Sequence, residues 1–192
     1  VYGNFEFGND EIENVDLLTP YATDKYAMEL YSTTAHKIYQ LSSVGLRFFN
    51  VYGPRQDPSS PYSGVISIFA DKLLKGQNIT INGGQQTRDF IYVKDVVNII
   101  YNAIILASKN SICEISNVLT GKSITIDELA EIMMKIIDFN AEINYQSLPL
   151  GDPAKSNGSS KKMTKLFKIE LDKFTKLDKG LVNTVRFFLK EH

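Results

Sequence analysis

TPYATDKYAMELY, residues 19–31, reads as the opening turns of a helix, and the rest of the chain is best read outward from it. Thr19 can accept a hydrogen bond from the first-turn N–H groups, and Pro20 suits the first helical position, where no N–H is needed. Tyr21 and Lys25 then lie one turn apart on one face. A phenol beside an ammonium ionises more readily, because the positive charge favours the phenolate. A tyrosine held this way can take a proton from a hydroxyl near neutral pH. An ordinary amphipathic helix can carry the same pair, with the tyrosine at an interface and the lysine stem lying along the surface. Spacing alone leaves both readings open.

Helical and extended patterns alternate on either side of this stretch, which predicts an α/β fold. Residues 1–18 read as a strand end at Val1–Gly3 followed by an acidic, Asn-rich loop, and residues 20–40 as a long helix. VGLRFFNV at 44–51 reads as one strand closed by Gly53-Pro54. Ser63 is placed to cap a helix over 64–75, stopped by Gly76. Strands are predicted at 79–81 and 88–93, with Asn82-Gly83-Gly84 as the turn between them. Asp95 opens an apolar helix to about residue 107, and a strand follows at 112–118. Thr125 and Glu128 have capping-box spacing for a helix over 126–138. A strand near 142–145 leads into a Gly/Pro/Ser-rich loop at 146–160, and helices near 161–168 and 178–190 close the chain.

The composition narrows the function. With 192 residues, 43% hydrophobic and 22% charged, the chain reads as an ordinary globular protein large enough for one domain plus a lobe. A net charge of −1 offers no basic excess for a nucleic-acid backbone, and no apolar run reaches spanning length, so neither nucleic acid nor membrane is expected as a partner. The single cysteine, Cys113, cannot form an internal disulfide and reads as a small core residue, which fits a reducing compartment. His36 and His192 lie in no metal-ligand spacing, so no metal site is expected. Three of the four arginines, Arg47, Arg55 and Arg88, fall between 47 and 88, where a guanidinium fork could meet a phosphate. No glycine-rich phosphate turn follows any predicted strand. A chain opening on Val1 inside a strand end reads as a piece of a longer protein.

Several stretches, taken together and in order, carry a family resemblance: Val1-Tyr2-Gly3, TPYATDKYAMELY at 19–31, GLRFFNVYGPRQDP at 45–58, QTRDFIYVKDVV at 86–97, Asn117-Val118 before Gly121, and LPLGDP at 148–153. They resemble the extended short-chain dehydrogenase/reductases, in the NAD-dependent nucleotide-sugar epimerase and dehydratase branch, nearest to UDP-glucose and UDP-N-acetylglucosamine 4-epimerases. The resemblance implies the C-terminal part of an NAD(P)-binding Rossmann-type fold with a small mixed α/β substrate lobe. Residues 1–53 and 94–121 would be the remnant of the cofactor domain. Residues 54–93 and 122–192 would be the UDP-sugar lobe.

In such enzymes the tyrosine removes the sugar's C4 hydroxyl proton while NAD accepts the hydride, and the 4-keto sugar is then reduced on its other face. By resemblance Tyr21 is the base, and Lys25 tunes it and binds the nicotinamide ribose. Phe48 lines the cofactor wall, with Phe48 and Phe49 otherwise read as core. Asn50 and Arg88 bind the diphosphate; the competing reading of Arg88 is a strand-end salt bridge with Asp89. Gly64, Val65 and Ile66 offer backbone groups to the uracil, and Asp152 lies near ribose or phosphate. Ser156 falls near the wall facing the sugar's C2, where a small side chain leaves room for an N-acetyl group. Three departures bear on the substrate. Pro149 stands where many relatives have a diphosphate-clamping Arg, which Lys155 would replace or leave unreplaced. Gly158 and Gly84 stand where Asp is common.

The expected function is therefore the C-terminal portion of an NAD-dependent 4-epimerase of a UDP-hexose or UDP-N-acetylhexosamine, with NAD as cofactor. The resemblance places it in the cytoplasm, as a homodimer through the Tyr21–Lys25 helix. Two alternatives stand beside it. One is a nucleotide-sugar 4,6-dehydratase or UDP-glucuronate decarboxylase of the same superfamily. The other is a non-catalytic sugar-nucleotide-binding fragment, and the chain by itself is expected to be inactive.

Overall fold

A computed structural model describes residues 1–3, 11, 15–60, 63–149 and 151–191. Of the loop predicted to follow Gly3 up to residue 18, residues 4–10 and 12–14 lie outside them. Helix α1, Pro20–Tyr39, opens as expected: the Thr19 side chain accepts from the Ala22 N–H at 3.2 Å. Strand β1, Ser43–Phe48, follows, and β2, Asn50–Tyr52, comes directly after it. Helix α2 is Val65–Leu74, β3 is Ile79–Asn82 and β4 is Thr87–Tyr92. Helix α3, Val93–Lys109, leads to β5, Cys113–Val118, and β6, Ser123–Thr125. Helix α4, Ile126–Ile137, starts with the predicted capping box: Thr125 accepts from the Glu128 N–H while the Glu128 carboxylate accepts from the Thr125 N–H. Strand β7, Ile143–Gln146, helix α5, Lys161–Phe167, a short 3-10 turn at Leu171–Lys173 and helix α6, Leu177–Glu191, complete the order.

The strands form a parallel pair β1–β5, a three-stranded sheet β2–β4–β6 and a second parallel pair β3–β7. The strand predicted at 44–51 is one extended run that changes partners. Phe48 is in register with Val118 of β5, whereas Asn50 is in register with Phe90 of β4. At the join, the Phe49 N–H still donates to the Val118 carbonyl (3.1 Å). Residues alternate across β1. Val44 and Leu46 pack with Val96, Ile99 and Ala103 of α3, while Arg47 grips Glu29 of α1, so the two helices cover opposite faces. A second, larger core joins α2, α4 and α6 around Phe69, Leu129, Met133 and Leu181, and reaches Tyr52, Phe90 and the β3 residues Ile79 and Ile81.

Four local expectations are corrected. Val1–Gly3 forms no strand: the Val1 carbonyl accepts from the Asp16 N–H (3.1 Å), and Gly3 takes a left-handed φ of 63°. Gly64, not Ser63, caps α2, because the Ser63 hydroxyl is spent on the Asp57 carbonyl. Helix α3 begins at Val93, with Asp95 in its first turn accepting from the Thr175 N–H (2.9 Å) rather than capping. Asp89 makes no pair with Arg88. It is buried, and its carboxylate takes the Thr120, Gly121 and Lys122 N–H groups and the Thr120 hydroxyl. Burial pushes that carboxyl above its ordinary range, against the pull of the four donors. Strand β6 was not expected.

Helix α6 packs closely enough that a Cβ at buried Gly180 would overlap the Tyr52 hydroxyl. Glycine to alanine inside a helix ordinarily adds about 1 kcal/mol of stability. Gly180→Ala is expected to reverse that sign and cost about 1–3 kcal/mol by overpacking. Adding Tyr52→Phe should recover part of the loss. Urea denaturation of the two variants checks both signs.

Candidate functional site

Tyr21 sits in the first turn of α1, fixed by the Thr19 cap and Pro20, and is 65% exposed. The Lys25 ammonium lies over its ring, 5.3 Å from the centroid. Among the described residues neither the Tyr21 hydroxyl nor the Lys25 ammonium has a hydrogen-bond partner, so both remain available to a ligand. Both face a cavity of about 540 Å³ bounded by α1, β1, β5 and Val1. Of the other charged groups lining it, Arg47 is bound through Nε and Nη2 to the two Glu29 oxygens (2.8 and 2.7 Å), and Glu114 pairs with Lys162 (3.0 Å). Lys25 is therefore the side-chain cation there without an ion pair among the described residues.

A second cavity, about 320 Å³, adjoins the first and brings together Asn50, Arg88, Asp152, Lys155 and Ser156. Val1 and Phe48 line both cavities. Phe48, read partly as core, is 45% exposed: it is the partition between the cavities and no core residue. Asn50 is aimed by β2, its amide donating to the Asp89 carbonyl at 3.1 Å. Arg88 is 11% exposed and donates to the carbonyls of Thr87 (2.7 Å) and Pro153 (2.8 Å) and to the Asp152 carboxylate. Phe49 lines the same cavity and packs against Gly158, where a Cβ would come within 2.5 Å of the ring. The absence of a side chain at Gly158 thus shapes this wall.

Gly64 and Val65 line neither cavity; they form the cap and first residue of α2, with Gly64 accepting from the Ser67 hydroxyl (2.8 Å). Cys113, expected in the core, is half-buried in the wall of the larger cavity, beside the Ser43 hydroxyl at 3.5 Å. Sequence reasoning missed Tyr2 as a site residue. It lines the smaller cavity, its ring carries the Arg47 guanidinium (4.8 Å from the centroid), and its hydroxyl donates to Asn117 at 2.6 Å. Burial pushes the Tyr2 phenol up, so it serves as a donor and not as a base.

The arrangement joins an available phenol and ammonium to a polar pocket carrying guanidinium, amide and ammonium groups. Residues 1–117 match the NAD dependent epimerase/dehydratase family. The chain belongs to that family. This epimerase/dehydratase chain is similar to the UDP-glucose 4-epimerase of Mycolicibacterium smegmatis, 31% identical over 175 residues, covering 91% of this chain and 54% of that protein. Its fold is similar to that of the UDP-N-acetylglucosamine 4-epimerase from Methanobrevibacter ruminantium in complex with UDP-N-acetylmuramic acid (TM-score 0.87, 36% identity, all 100% of this chain on 60% of that one). It is also similar to the UDP-glucuronic acid 4-epimerase from Bacillus cereus in complex with UDP-glucuronic acid and NAD (TM-score 0.89, 25% identity, 100% of this chain on 59% of that one). The chain spans about half the length of the curated relatives it matches. Among the described residues, no helix is long and apolar enough to cross a membrane.

The Glu29–Arg47 pair ties α1 to β1 with side chains only 12% and 9% exposed. Glu29→Ala would leave a buried guanidinium uncompensated and is expected to cost about 3 kcal/mol. The apolar double replacement Glu29→Leu with Arg47→Met should restore most of it, because the desolvation of both charges disappears together. Chemical denaturation of the two variants measures the difference.

Proposed function

We propose that this chain is the C-terminal portion of an NAD-dependent UDP-sugar 4-epimerase, acting on a UDP-hexose or UDP-N-acetylhexosamine through a 4-keto sugar. The observation that carries this reading is the pair of adjoining cavities. Tyr21 and Lys25 face one, Asn50, Arg88, Asp152 and Ser156 face the other, and Phe48 stands between. A sugar nucleotide needs such a division, with a reacting hexose at the base and an anionic diphosphate some distance away.

In this reading residues 1–53 and 94–121 belong to a cofactor domain, and residues 54–93 and 122–192 to a substrate lobe. The two hydrophobic cores follow that division only in part: Tyr52 of the first range packs in the larger core, and Ile91, Met163 and Phe167 of the second pack with Val96, Ile99 and Val118 in the other. Tyr21, fixed at the start of a capped helix, accepts the C4 hydroxyl proton and later returns it. Lys25, one turn on, lies over that ring with its ammonium 5.3 Å from the centroid, within reach of the same ligand. The available Lys25 ammonium and the Phe48 ring fit the nicotinamide end of NAD, which supplies the acceptor and donor of hydride when bound. The chain itself carries no glycine-rich turn to grip the remainder. For that reason the isolated chain is read as inactive, and its cofactor grip as dependent on a nucleotide-binding half. Helix α1 has no buried residue and exposes Leu30, Tyr31 and Ile38, which supports a helix-to-helix homodimer. The single cysteine supports a cytoplasmic setting. Gly64 and Val65 keep the role of backbone contacts to the uracil.

The test is turnover by the longer protein this reading calls for, given UDP-glucose, UDP-N-acetylglucosamine and UDP-glucuronic acid in turn. Interconversion of gluco and galacto forms is expected. Release of water or carbon dioxide instead identifies the dehydratase or decarboxylase alternative, and no turnover of any of them overturns the enzyme reading. In that protein Tyr21→Phe is expected to lower kcat by about 10²–10⁴-fold with KM little changed, as loss of a general base does. An unchanged kcat would remove Tyr21 from the chemistry.

A further inference from the structure

Tyr21, Lys25 and Glu29 follow one another at one-turn intervals on α1, and all three line the larger cavity. A lysine and a glutamate at this spacing ordinarily attract each other along the helix surface. Here they do not pair. Both Glu29 oxygens are taken by Arg47 of β1, through Nε at 2.8 Å and Nη2 at 2.7 Å. The other carboxylate on the cavity wall, Glu114, is engaged by Lys162 (3.0 Å). Lys25 stays exposed, with its ammonium over the Tyr21 ring and no acid paired to it among the described residues.

Two cations therefore compete for one acid, and the geometry decides for Arg47. Its backbone is fixed by the β1–β5 ladder, and its guanidinium lies over the Tyr2 ring, 4.8 Å from the centroid. Its planar fork meets both carboxylate oxygens at once, which an ammonium cannot do. The pair is nearly closed to solvent, with side chains 9% and 12% exposed, so it is little screened. A Lys25–Glu29 contact would be single, exposed and in the less favourable order, with lysine N-terminal to glutamate.

We infer that Arg47 is a positioning residue that acts through Glu29: by occupying this acid it keeps the Lys25 ammonium unpaired beside Tyr21. Its bearing on turnover rests on the UDP-sugar reading above, whereas the competition itself is a property of this chain. Loss of Arg47 hands Glu29 to Lys25. Loss of Glu29 breaks the same ion pair but releases no acid. The two single substitutions therefore differ at Lys25, which a purely structural tie between α1 and β1 does not predict.

The experiment is reductive methylation with formaldehyde and cyanoborohydride, followed lysine by lysine by mass spectrometry. The exposed Lys37 of the same helix is the reference. The Val1 amino group feels both Arg47 and Glu29, so Val1 is joined through a peptide bond to an N-terminal tag in every sample. A paired ammonium gives up its proton less readily and is methylated more slowly. In Arg47→Met the rate at Lys25 is expected to fall about two- to fivefold, as a newly formed exposed pair would cause. In Glu29→Gln, and in Arg47→Met with Glu29→Gln, it should match the unmodified chain. Equal slowing in the two single variants, or no slowing in Arg47→Met, overturns the inference. Should Arg47→Met not fold, Arg47→Lys carries the test, since a point charge leaves part of the Glu29 carboxylate unclaimed; a smaller fall is then expected, and no fall overturns the inference. In the longer protein, kcat should drop by about the same factor in Arg47→Met and be kept in Glu29→Gln. Equal losses there also overturn it. Absence of turnover in the unmodified longer protein overturns the UDP-sugar reading instead, and the labelling then decides the competition at Glu29 by itself.

Discussion

The structure turns on a change of partner within one extended run. From Ser43 to Phe48 the chain is laddered to β5, and from Asn50 to Tyr52 it is laddered to β4. A strand can change neighbours only where one ladder ends beside the start of another, and β5 ends at Val118, the residue facing Phe48. Because side chains alternate along a strand, each position near the crossover has a fixed direction. Arg47 reaches α1, Phe48 becomes the partition between two cavities, and Asn50 enters the smaller one. Shifting the register by one residue would swap these directions and remove the site without touching Tyr21 or Lys25.

Much of this was legible in the residues. Thr19-Pro20 marked the start of α1, and Thr125 with Glu128 marked that of α4, because a cap depends on neighbours three residues away and needs no tertiary information. The break at Phe49 was not legible, since FFNVY has the same apolar, β-favouring character on both sides of the crossover. Strand β6 was missed because three residues, Ser123–Thr125, carry too little pattern. It is held by Thr87, Arg88 and Asp89 of β4, which lie far away in sequence. Phe48 illustrates the same limit at the site. An aromatic in an apolar strand reads as core, and only the packing around it reveals a face left open.

Arg88 and Asp89 show most clearly what local sequence cannot assign. Adjacent opposite charges invite a salt bridge with each other, but neighbours along a strand point to opposite faces. Arg88 goes to the strap at Asp152 and Pro153, whereas Asp89 goes to the loop after β5 and collects four donors from Thr120, Gly121 and Lys122. One dipeptide therefore anchors two loops on two sides of the sheet. The buried acid fixes the end of β5, and with it the crossover. The guanidinium fixes the strap carrying Lys155 and Ser156.

The exposed surface follows from the same organisation. The chain exposes 11593 Å², where a compact monomer of this length would expose roughly 9,200 Å². Part of the excess is apolar and concentrated on two helices. On α1 it includes Tyr31, Ile38 and Tyr39, and on α3 it includes Val97, Tyr101 and Ile104. The α3 residues recur at helical spacing, as a packed face does, while Ile99 and Ala103 of the same helix are already buried. The two helices cover opposite faces of β1, so a single flat contact would not serve both. Under the proposed function, the cofactor half and a second subunit supply separate covers. Each would remove apolar area worth about 25 cal/mol per Å² from water. Stability of the isolated chain and assembly of the catalytic cleft then draw on the same contacts. Helix α1 carries Tyr21 and Lys25 at the wall of the larger cavity with no residue of its own buried, so its position in the bare chain rests largely on the Glu29–Arg47 pair and its contacts with β1 and β5.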